Sequence, residues 1–104
     1  MRDRAITKEF MAKMMDHAVL KPAMTEDDIR RAAAMCRARG VGDLCVRPTD
    51  AALASSLRQG SGTTVAVVVG FPHGASRSEV KALEARLAIE DGADELDMVM
   101  NIGK

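Results

Sequence analysis

The segment ELDMVMN, residues 95–101, decides between two folds for this chain. Side chains alternate between the two faces of a β-strand. The alternation separates an apolar set from a more polar one: Leu96, Met98 and Met100 on one face, and Asp97, Val99 and Asn101 on the other. An apolar face belongs against helices, whereas a carboxylate covered by helices costs on the order of several kcal/mol unless it is paired. The segment therefore predicts a buried strand with a helix-free face around Asp97.

The rest of the chain alternates between strand and helix patterns. Apolar and β-branched runs predict strands at residues 16–20, 42–47, 63–69 and 95–101. Helix signals fill the intervals between the strands. Thr7 precedes an apolar stripe, the capping-box pattern TEDD stands at 25–28, and a short helix is predicted after RPTD at 47–50. A second capping-box pattern, SRSE at 76–79, opens a helix with Val80, Leu83 and Leu87 on one face. Strands that are each followed by a helix form a parallel sheet with right-handed crossovers, so the fold class is α/β.

Two architectures accommodate this order of elements. In an open doubly wound sheet, helices would cover both faces and leave Asp97 beneath one of them. In half of a (βα)8 barrel, its face would line the lumen, where Asp16 on the first strand would also point. The barrel explains both carboxylates better, although a strand aspartate satisfied by the backbone or by an arginine is an equally good interpretation of Asp97 taken alone. We predict half of a TIM barrel with an extra N-terminal helix, so that residues 1–104 form a single partial domain.

Composition narrows the classes of partner. The chain has 15 Lys+Arg and 15 Asp+Glu, and only 2% of its residues are aromatic, which argues against binding to nucleic acid or to an anionic membrane. Cys36 and Cys45 lack the spacing of a metal or redox motif and suit reduced thiols in the cytoplasm. The first ten residues have no apolar core of signal length. His17 and His73 show no spacing for a metal ligand pair, so no metal is expected.

Three stretches carry a resemblance to a known family: DHAVLKP at 16–22, LCVRP at 44–48, and VVVGFPHGASRSEVKALEARLAIEDGADELDMVMNIG at 67–103. In order and spacing they resemble the first half of the deoxyribose-phosphate aldolases. The resemblance implies a (βα)8 barrel that reversibly joins acetaldehyde to glyceraldehyde 3-phosphate, giving 2-deoxyribose 5-phosphate, in deoxyribonucleotide catabolism. It also implies catalysis through a lysine Schiff base, without a metal or other cofactor.

The resemblance also implies roles for individual residues. Asp97 matches the acid that relays protons at the reacting carbon, and Asp16 matches an acid that helps to hold the lysine network and the substrate hydroxyls. Cys45, Ala18 and Leu20 would line the substrate pocket. The substrate would be a small phosphorylated sugar or aldehyde, bound once the barrel is complete.

The chain departs from the family pattern in several places. Ala18 stands where the family commonly has Thr, Arg47 where it has Asn, and NIGK at 101–104 where it usually continues NIGALK. The resemblance places the Schiff-base lysine on a sixth strand, outside the four strands predicted here. Lys8, Lys13 and Lys81 are expected on exposed helix surfaces, and Lys21 and Lys104 in loops, so we expect the chain alone to be an inactive, truncated half.

Three hypotheses of different class remain open at this point. The chain is an aldolase fragment that needs a second half, a non-catalytic half-barrel that self-associates into a homo-oligomer, or an unrelated open-sheet binding domain. Unpaired strand edges and an uncovered face favour self-association in either of the first two.

Overall fold

The computed structural model describes residues 5–104 of the chain. Strands and helices alternate after a first helix: α1 (Lys8–Lys13), β1 (Asp16–Val19), α2 (Glu26–Arg39), β2 (Asp43–Val46), a 3-10 turn (Pro48–Asp50), α3 (Ala51–Leu57), β3 (Thr64–Val69), α4 (Ser78–Glu90) and β4 (Glu95–Met98). The predicted order of elements is confirmed. Among the described residues, no helix is both long and apolar enough to cross a membrane.

The four strands form one parallel sheet in the order β1-β2-β3-β4, so that β1 and β4 are its edges. Each strand is shorter than predicted, and the largest difference is at β4, which ends at Met98 rather than at residue 101. Its partner β3 stops at Val69, and Gly70 then turns the chain away with a φ of 68°. One further ladder bond, from Val99 N to Val69 O at 2.9 Å, is the last that β3 supports.

One face of the sheet carries the main core, and we call it the helix-covered face. Strand residues such as Leu44 and Val67 lie there at 1% and 0% exposure, packed against Ile29 of α2, Ala54 of α3 and Ala88 of α4. Helix α2 has the boundaries that its sequence predicts, because Thr25 and Asp28 form a reciprocal capping box and Gly40 closes the helix in the left-handed conformation. Burial of these aliphatic groups is the main stabilising term of the fold.

The opposite face, which we call the open face, carries the side chains of alternate strand residues: Asp16, Ala18, Asp43, Cys45, Thr64, Ala66, Val68, Glu95 and Asp97. A small second cluster of Cys45, Ala66 and Val68, with Leu20 packed against it, lies on this face, and it contains no helix residue. A doubly wound sheet would have helices on both faces. The prediction that Asp97 lies on a helix-free face is therefore confirmed, and with it the barrel-like arrangement.

One expectation for the last helix is wrong. The SRSE capping box does not form, since α4 begins at Ser78 after Arg77, which makes no side-chain capping bond. The apolar side chains of Val80, Leu83 and Leu87 on α4 are 46–53% exposed, whereas Ala88 is the buried residue of this helix. Helix α4 therefore turns small side chains toward the sheet and leaves its larger apolar ones uncovered.

Strand β4 was expected to be buried, and all four of its residues are exposed. Leu96 and Met98 point to the same side as the main core, yet they are 37% and 63% exposed. The reason is their position on an edge strand, which no other strand among residues 5–104 flanks on its outer side. Asp97 is exposed for the same reason, so its carboxylate is not a buried charge.

Helix α1 closes the amino-terminal end of the sheet. Ala12 O accepts a hydrogen bond from Gly42 N at 2.9 Å, and Met15 O accepts one from Asp43 N at 3.1 Å. A Cβ on Gly42 would lie 1.9 Å from the carbonyl oxygen of Lys13, so only glycine permits this approach. The extra N-terminal helix thus fixes the start of β2.

Candidate active site

The centre of the open face brings together two of the residues predicted from sequence. Cys45 pairs in register with Ala66, and Asp97 pairs with Val68, so the two side chains lie on a diagonal across β3. The Cys45 thiol donates a hydrogen bond to Asp97 Oδ2 at 3.5 Å. This contact joins residues 52 positions apart in the chain, and only the sheet register creates it.

The electrostatics of Cys45 define its chemistry. Burial raises the pKa of the thiol to about 12, and the hydrogen bond and negative charge of Asp97 add to the effect. A cysteine acts as a nucleophile through its thiolate. At neutral pH, Cys45 is therefore a protonated donor that orients the Asp97 carboxylate.

Asp16 lies at the start of β1, directly opposite Asp43 of β2. It does not hydrogen-bond Asp97, so the structure separates the two predicted acids: Asp97 lies beside Cys45, and Asp16 lies closer to the amino-terminal end of the sheet. The Cys45 thiol lies in the field of both, since Asp97 and Asp16 each contribute to raising its pKa. Cys45 is thus the side chain between the two candidate acids.

Asp43 is an acidic residue that the sequence analysis missed. It is 5% exposed, and its Oδ1 accepts a hydrogen bond from Thr64 Oγ1 at 2.7 Å. Burial raises the pKa of Asp43 to about 7; the Thr64 hydroxyl opposes the shift, and Asp16 and Glu95 add to it. The signal was present in the sequence, because Asp43 has the same strand parity as Cys45 and must share its face.

The two predicted pocket residues on β1 and directly after it differ in exposure. Ala18 pairs in register with Cys45 but is exposed, because β1 is an edge strand. Leu20 is half-buried against the small cluster of the open face. It also lines a cavity of about 480 Å³ at the carboxyl ends of β1, β2 and β3, where the loops after the strands meet. The other residues that line this cavity are Pro22, Arg47, Pro48, Val68, Phe71 and Pro72.

Arg47 has a structural role at this rim that sequence did not reveal. Its guanidinium donates to Lys21 O at 3.3 Å, to Pro22 O at 3.1 Å and to Met24 O at 3.0 Å, and its Nε donates to Asp50 Oδ2 at 2.8 Å. Asp50 is 6% exposed, so Arg47 also neutralises a buried carboxylate. The loop after β1 is therefore fastened to the loop after β2.

The lysines among residues 5–104 lie outside the four strands. Lys8 and Lys13 are on α1, and Lys21 and Lys104 lie in loops. Lys81 was expected to be solvent-exposed, but it is half-buried and its Nζ donates to Val99 O at 2.8 Å. All five are therefore helix or loop residues.

Curated relatives cover most of the chain. A deoxyribose-phosphate aldolase of Clostridium perfringens is 43% identical over 97 residues, which are 93% of this chain and 43% of that protein. One of Methanothermobacter thermautotrophicus is 46% identical over the same shares of each chain. No family model matches the sequence. The chain spans less than half the length of these relatives.

The fold agrees with the sequence comparison. The tetrameric deoxyribose-phosphate aldolase of Aeropyrum pernix superposes with a TM-score of 0.89 at 33% identity, and the match covers 97% of this chain and 43% of that one. The four-stranded sheet of the present chain therefore corresponds to about half of the aldolase TIM barrel. By sequence and by fold, the chain is similar to these deoxyribose-phosphate aldolases over less than half of their length.

Proposed function

We propose that this chain is a single partial domain that forms one wall of a deoxyribose-phosphate aldolase active site. The reaction is the reversible cleavage of 2-deoxyribose 5-phosphate into glyceraldehyde 3-phosphate and acetaldehyde. The observation that supports this proposal most strongly is the Asp97 carboxylate, held by Cys45 Sγ at 3.5 Å on the helix-free face of a sheet that matches this family.

Asp97 is proposed as the proton-relay group. Its carboxylate is exposed on the open face, so a substrate carbon can approach it, and the Cys45 thiol fixes one oxygen while the other stays available. General acid–base catalysis by one positioned group typically contributes about 10²- to 10⁴-fold to the rate. Asp16 is proposed to act nearer the amino-terminal end, on the lysine network and the substrate hydroxyls.

The Schiff-base lysine is proposed to lie outside these 104 residues, since none of the lysines at 8–104 is on a strand. A Schiff-base lysine reacts as a neutral amine, which requires a desolvated site or a neighbouring cation. The 104 residues alone are therefore expected to trap acetaldehyde on borohydride reduction no faster than ordinary surface amines do. Efficient trapping at a single site, Lys21 or Lys104, would contradict this part of the proposal.

A reconstitution experiment tests the whole proposal. The chain is co-expressed with the segment of the Clostridium perfringens relative that it does not match, and cleavage of 2-deoxyribose 5-phosphate is measured. We expect activity in the pair, and loss of most of it with Asp97→Asn. The control is Asp91→Asn, an exposed carboxylate at the end of α4, which should leave activity unchanged. Assembly of an inactive pair, with borohydride trapping on the added segment but no cleavage, would count against Asp97.

A second candidate function is self-association as a non-catalytic half-barrel. It is favoured by the exposed apolar residues beside the unpaired edge of β4, where Met98 and Met100 are 63% and 66% exposed. Exposed edges and apolar patches of this kind promote association. We propose a homo-oligomer, to be measured by light scattering and native mass spectrometry at micromolar concentration; a monodisperse monomer would exclude it.

The remaining properties follow from the same proposal. The substrate is a small aldehyde or a phosphorylated sugar, and catalysis requires no metal or organic cofactor. Cys36 and Cys45 are both free thiols, which suits a reducing compartment such as the cytoplasm. Mass analysis of the thiols after extraction under non-reducing conditions, with rapid alkylation, would test the compartment.

A further inference from the structure

Asp43 is a buried acid to which the proposed chemistry assigns no role. It opens β2, its side chain points to the open face, and 5% of its surface is exposed. One carboxyl oxygen, Oδ1, accepts from the Thr64 hydroxyl. The other, Oδ2, is buried and receives no hydrogen bond from any donor among the described residues. A buried carboxyl oxygen without a hydrogen-bond donor is unfavourable, and it is more unfavourable if the group is charged.

The surroundings of Asp43 are acidic on every side that carries a titratable group. Asp16 of β1 is directly opposite and within hydrogen-bonding reach, and Glu95 of β4 contributes further negative charge. On β2 itself the next open-face group is the Cys45 thiol, and α2 presents the buried Cys36 thiol. Met15, in the turn between α1 and β1, contacts Asp43 through its backbone carbonyl, which accepts a hydrogen bond from Asp43 N. Between residues 5 and 104, no lysine, arginine or histidine forms an ion pair or hydrogen bond with Asp43.

Two adjacent carboxylates that lack a cation normally hold a proton between them. We infer that Asp43 carries this proton on Oδ2 and donates it to the Asp16 carboxylate, so that Asp43 is a positioning residue for Asp16. A proton on Oδ2 turns an unsatisfied acceptor into a donor and gives both side chains a partner. Because the Thr64 hydroxyl already donates to Oδ1, Oδ2 is the oxygen that is left to carry this proton.

The energetic sign follows from the raised pKa of Asp43, which is about 7 in the folded protein against 3.8 for the ordinary group. Between these two values the folded state holds a proton that the unfolded state has released. The free energy of unfolding therefore falls as the pH rises through this window and stops changing, as far as this group is concerned, above about pH 7. The pair is a stabilising contact below neutral pH and a repulsive one above it.

The role of Asp16 in catalysis rests on the proposed aldolase function, but the shared proton does not. It is tested first in the 104-residue protein, by recording the side-chain carboxyl carbons of ¹³C-labelled aspartate from pH 4 to pH 9 by NMR. We expect one aspartate to titrate near pH 7 and its signal to disappear in Asp43→Asn. With Asp16→Asn, which removes the neighbouring charge and the acceptor, that midpoint should fall by about one unit or more. The exposed Asp27→Asn is the control and should leave the midpoint in place.

Urea unfolding supplies a second measurement. The midpoint of the wild-type protein should be higher at pH 5 than at pH 8, and Asp43→Asn should reduce this difference while Asp27→Asn keeps it. If every aspartate is ionised at pH 6, or if Asp16→Asn leaves the Asp43 midpoint where it was, the inference is overturned. Both results are independent of whether the reconstituted protein cleaves any sugar.

The positioning role is then tested in the reconstituted pair by its pH–rate profile. Asp43→Asn supplies an amide donor to Asp16 at every pH, so its activity should persist above pH 7, where the wild-type contact has lost its proton. Asp43→Val has no donor and should lose activity below pH 7 as well. Equal pH profiles in wild-type and Asp43→Asn would show that Asp43 does not position Asp16. If an aspartate still titrates near pH 7 by NMR but no variant cleaves the sugar, the aldolase proposal is rejected instead.

Discussion

The two faces of the sheet differ although the same four strands form both. Apart from His17, the helix-covered face presents apolar strand residues to α2, α3 and α4, and Leu44, Val46, Val65 and Val67 are at most 1% exposed. The open face presents three aspartates, a glutamate, a threonine and a thiol, with a small apolar cluster between them. Stability is therefore concentrated on one face and reactive groups on the other. Substitutions on the two faces should consequently separate stability from activity.

The largest expected effect is on the open face. Asp97→Asn keeps the shape of the side chain and removes its charge, so the reconstituted aldolase should lose about 10²- to 10⁴-fold in cleavage rate while its stability changes little. The measurements are steady-state cleavage of 2-deoxyribose 5-phosphate and the urea midpoint of the same samples. A large decrease of the urea midpoint in Asp97→Asn would mean that Asp97 supports the fold. Stability and activity would then not be separated between the two faces.

The helix-covered face should respond in the opposite way. Leu44 is 1% exposed, and Leu44→Ala should lower the free energy of unfolding by about 2–5 kcal/mol through lost transfer energy and the cavity left behind. Met98→Ala, on the same side of the sheet but 63% exposed, is the matched control and should change it far less. Urea unfolding followed by circular dichroism measures both. Equal effects would indicate that β4 is covered in solution, as it would be in an oligomer.

Arg47 connects the loops at the carboxyl ends of β1 and β2, so its loss should reduce the free energy of unfolding by an intermediate amount. Arg47→Asn removes three bonds to carbonyls and leaves Asp50 buried without its cation, for a cost of about 3 kcal/mol. Hydrogen exchange should accelerate at residues 21–24, which follow β1. Arg77→Ala removes an ion pair between side chains that are 81% and 73% exposed and should be nearly silent. Unchanged hydrogen exchange at residues 21–24 would show that Arg47 does not hold the loop after β1 in place.

The smallest effect concerns the reactivity of a thiol. Because burial and Asp97 raise the pKa of Cys45 to about 12, its alkylation at pH 8 should be slow and should rise with pH well above that value. Asp97→Asn removes one cause of the shift, so the alkylation rate should increase severalfold, while that of Cys36 on the other face stays constant. Mass spectrometry of the modified peptides distinguishes the two. An unchanged Cys45 rate would show that the contact with Asp97 does not form in solution.

Local pattern predicted most of the fold, but it could not predict which strands would be covered. The capping signals at Thr25 and Gly40 lie within a few residues of the helix that they bound, and α2 formed as expected. The SRSE pattern carried the same signal and did not form a box, since α4 begins at Ser78 and its N-cap residue is Arg77 rather than Ser76. Burial of β4 failed as a prediction for a related reason, because an apolar strand is buried only where a neighbour exists.

The candidate site divides in the same way between sequence and tertiary structure. Strand parity and the family resemblance were sufficient to select Asp97, Asp16 and Cys45. The diagonal contact between Cys45 and Asp97, the burial of Asp43 beside Asp16, and the four bonds of Arg47 depend on the register and on loops distant in sequence. The sequence by itself determined the parallel α/β order of elements and which strand residues share a face, because helix and strand periodicity are local properties of the backbone. Only the tertiary structure decided which of those residues touch and which carboxyl group lacks a partner, because these depend on distances between strands that no local pattern encodes.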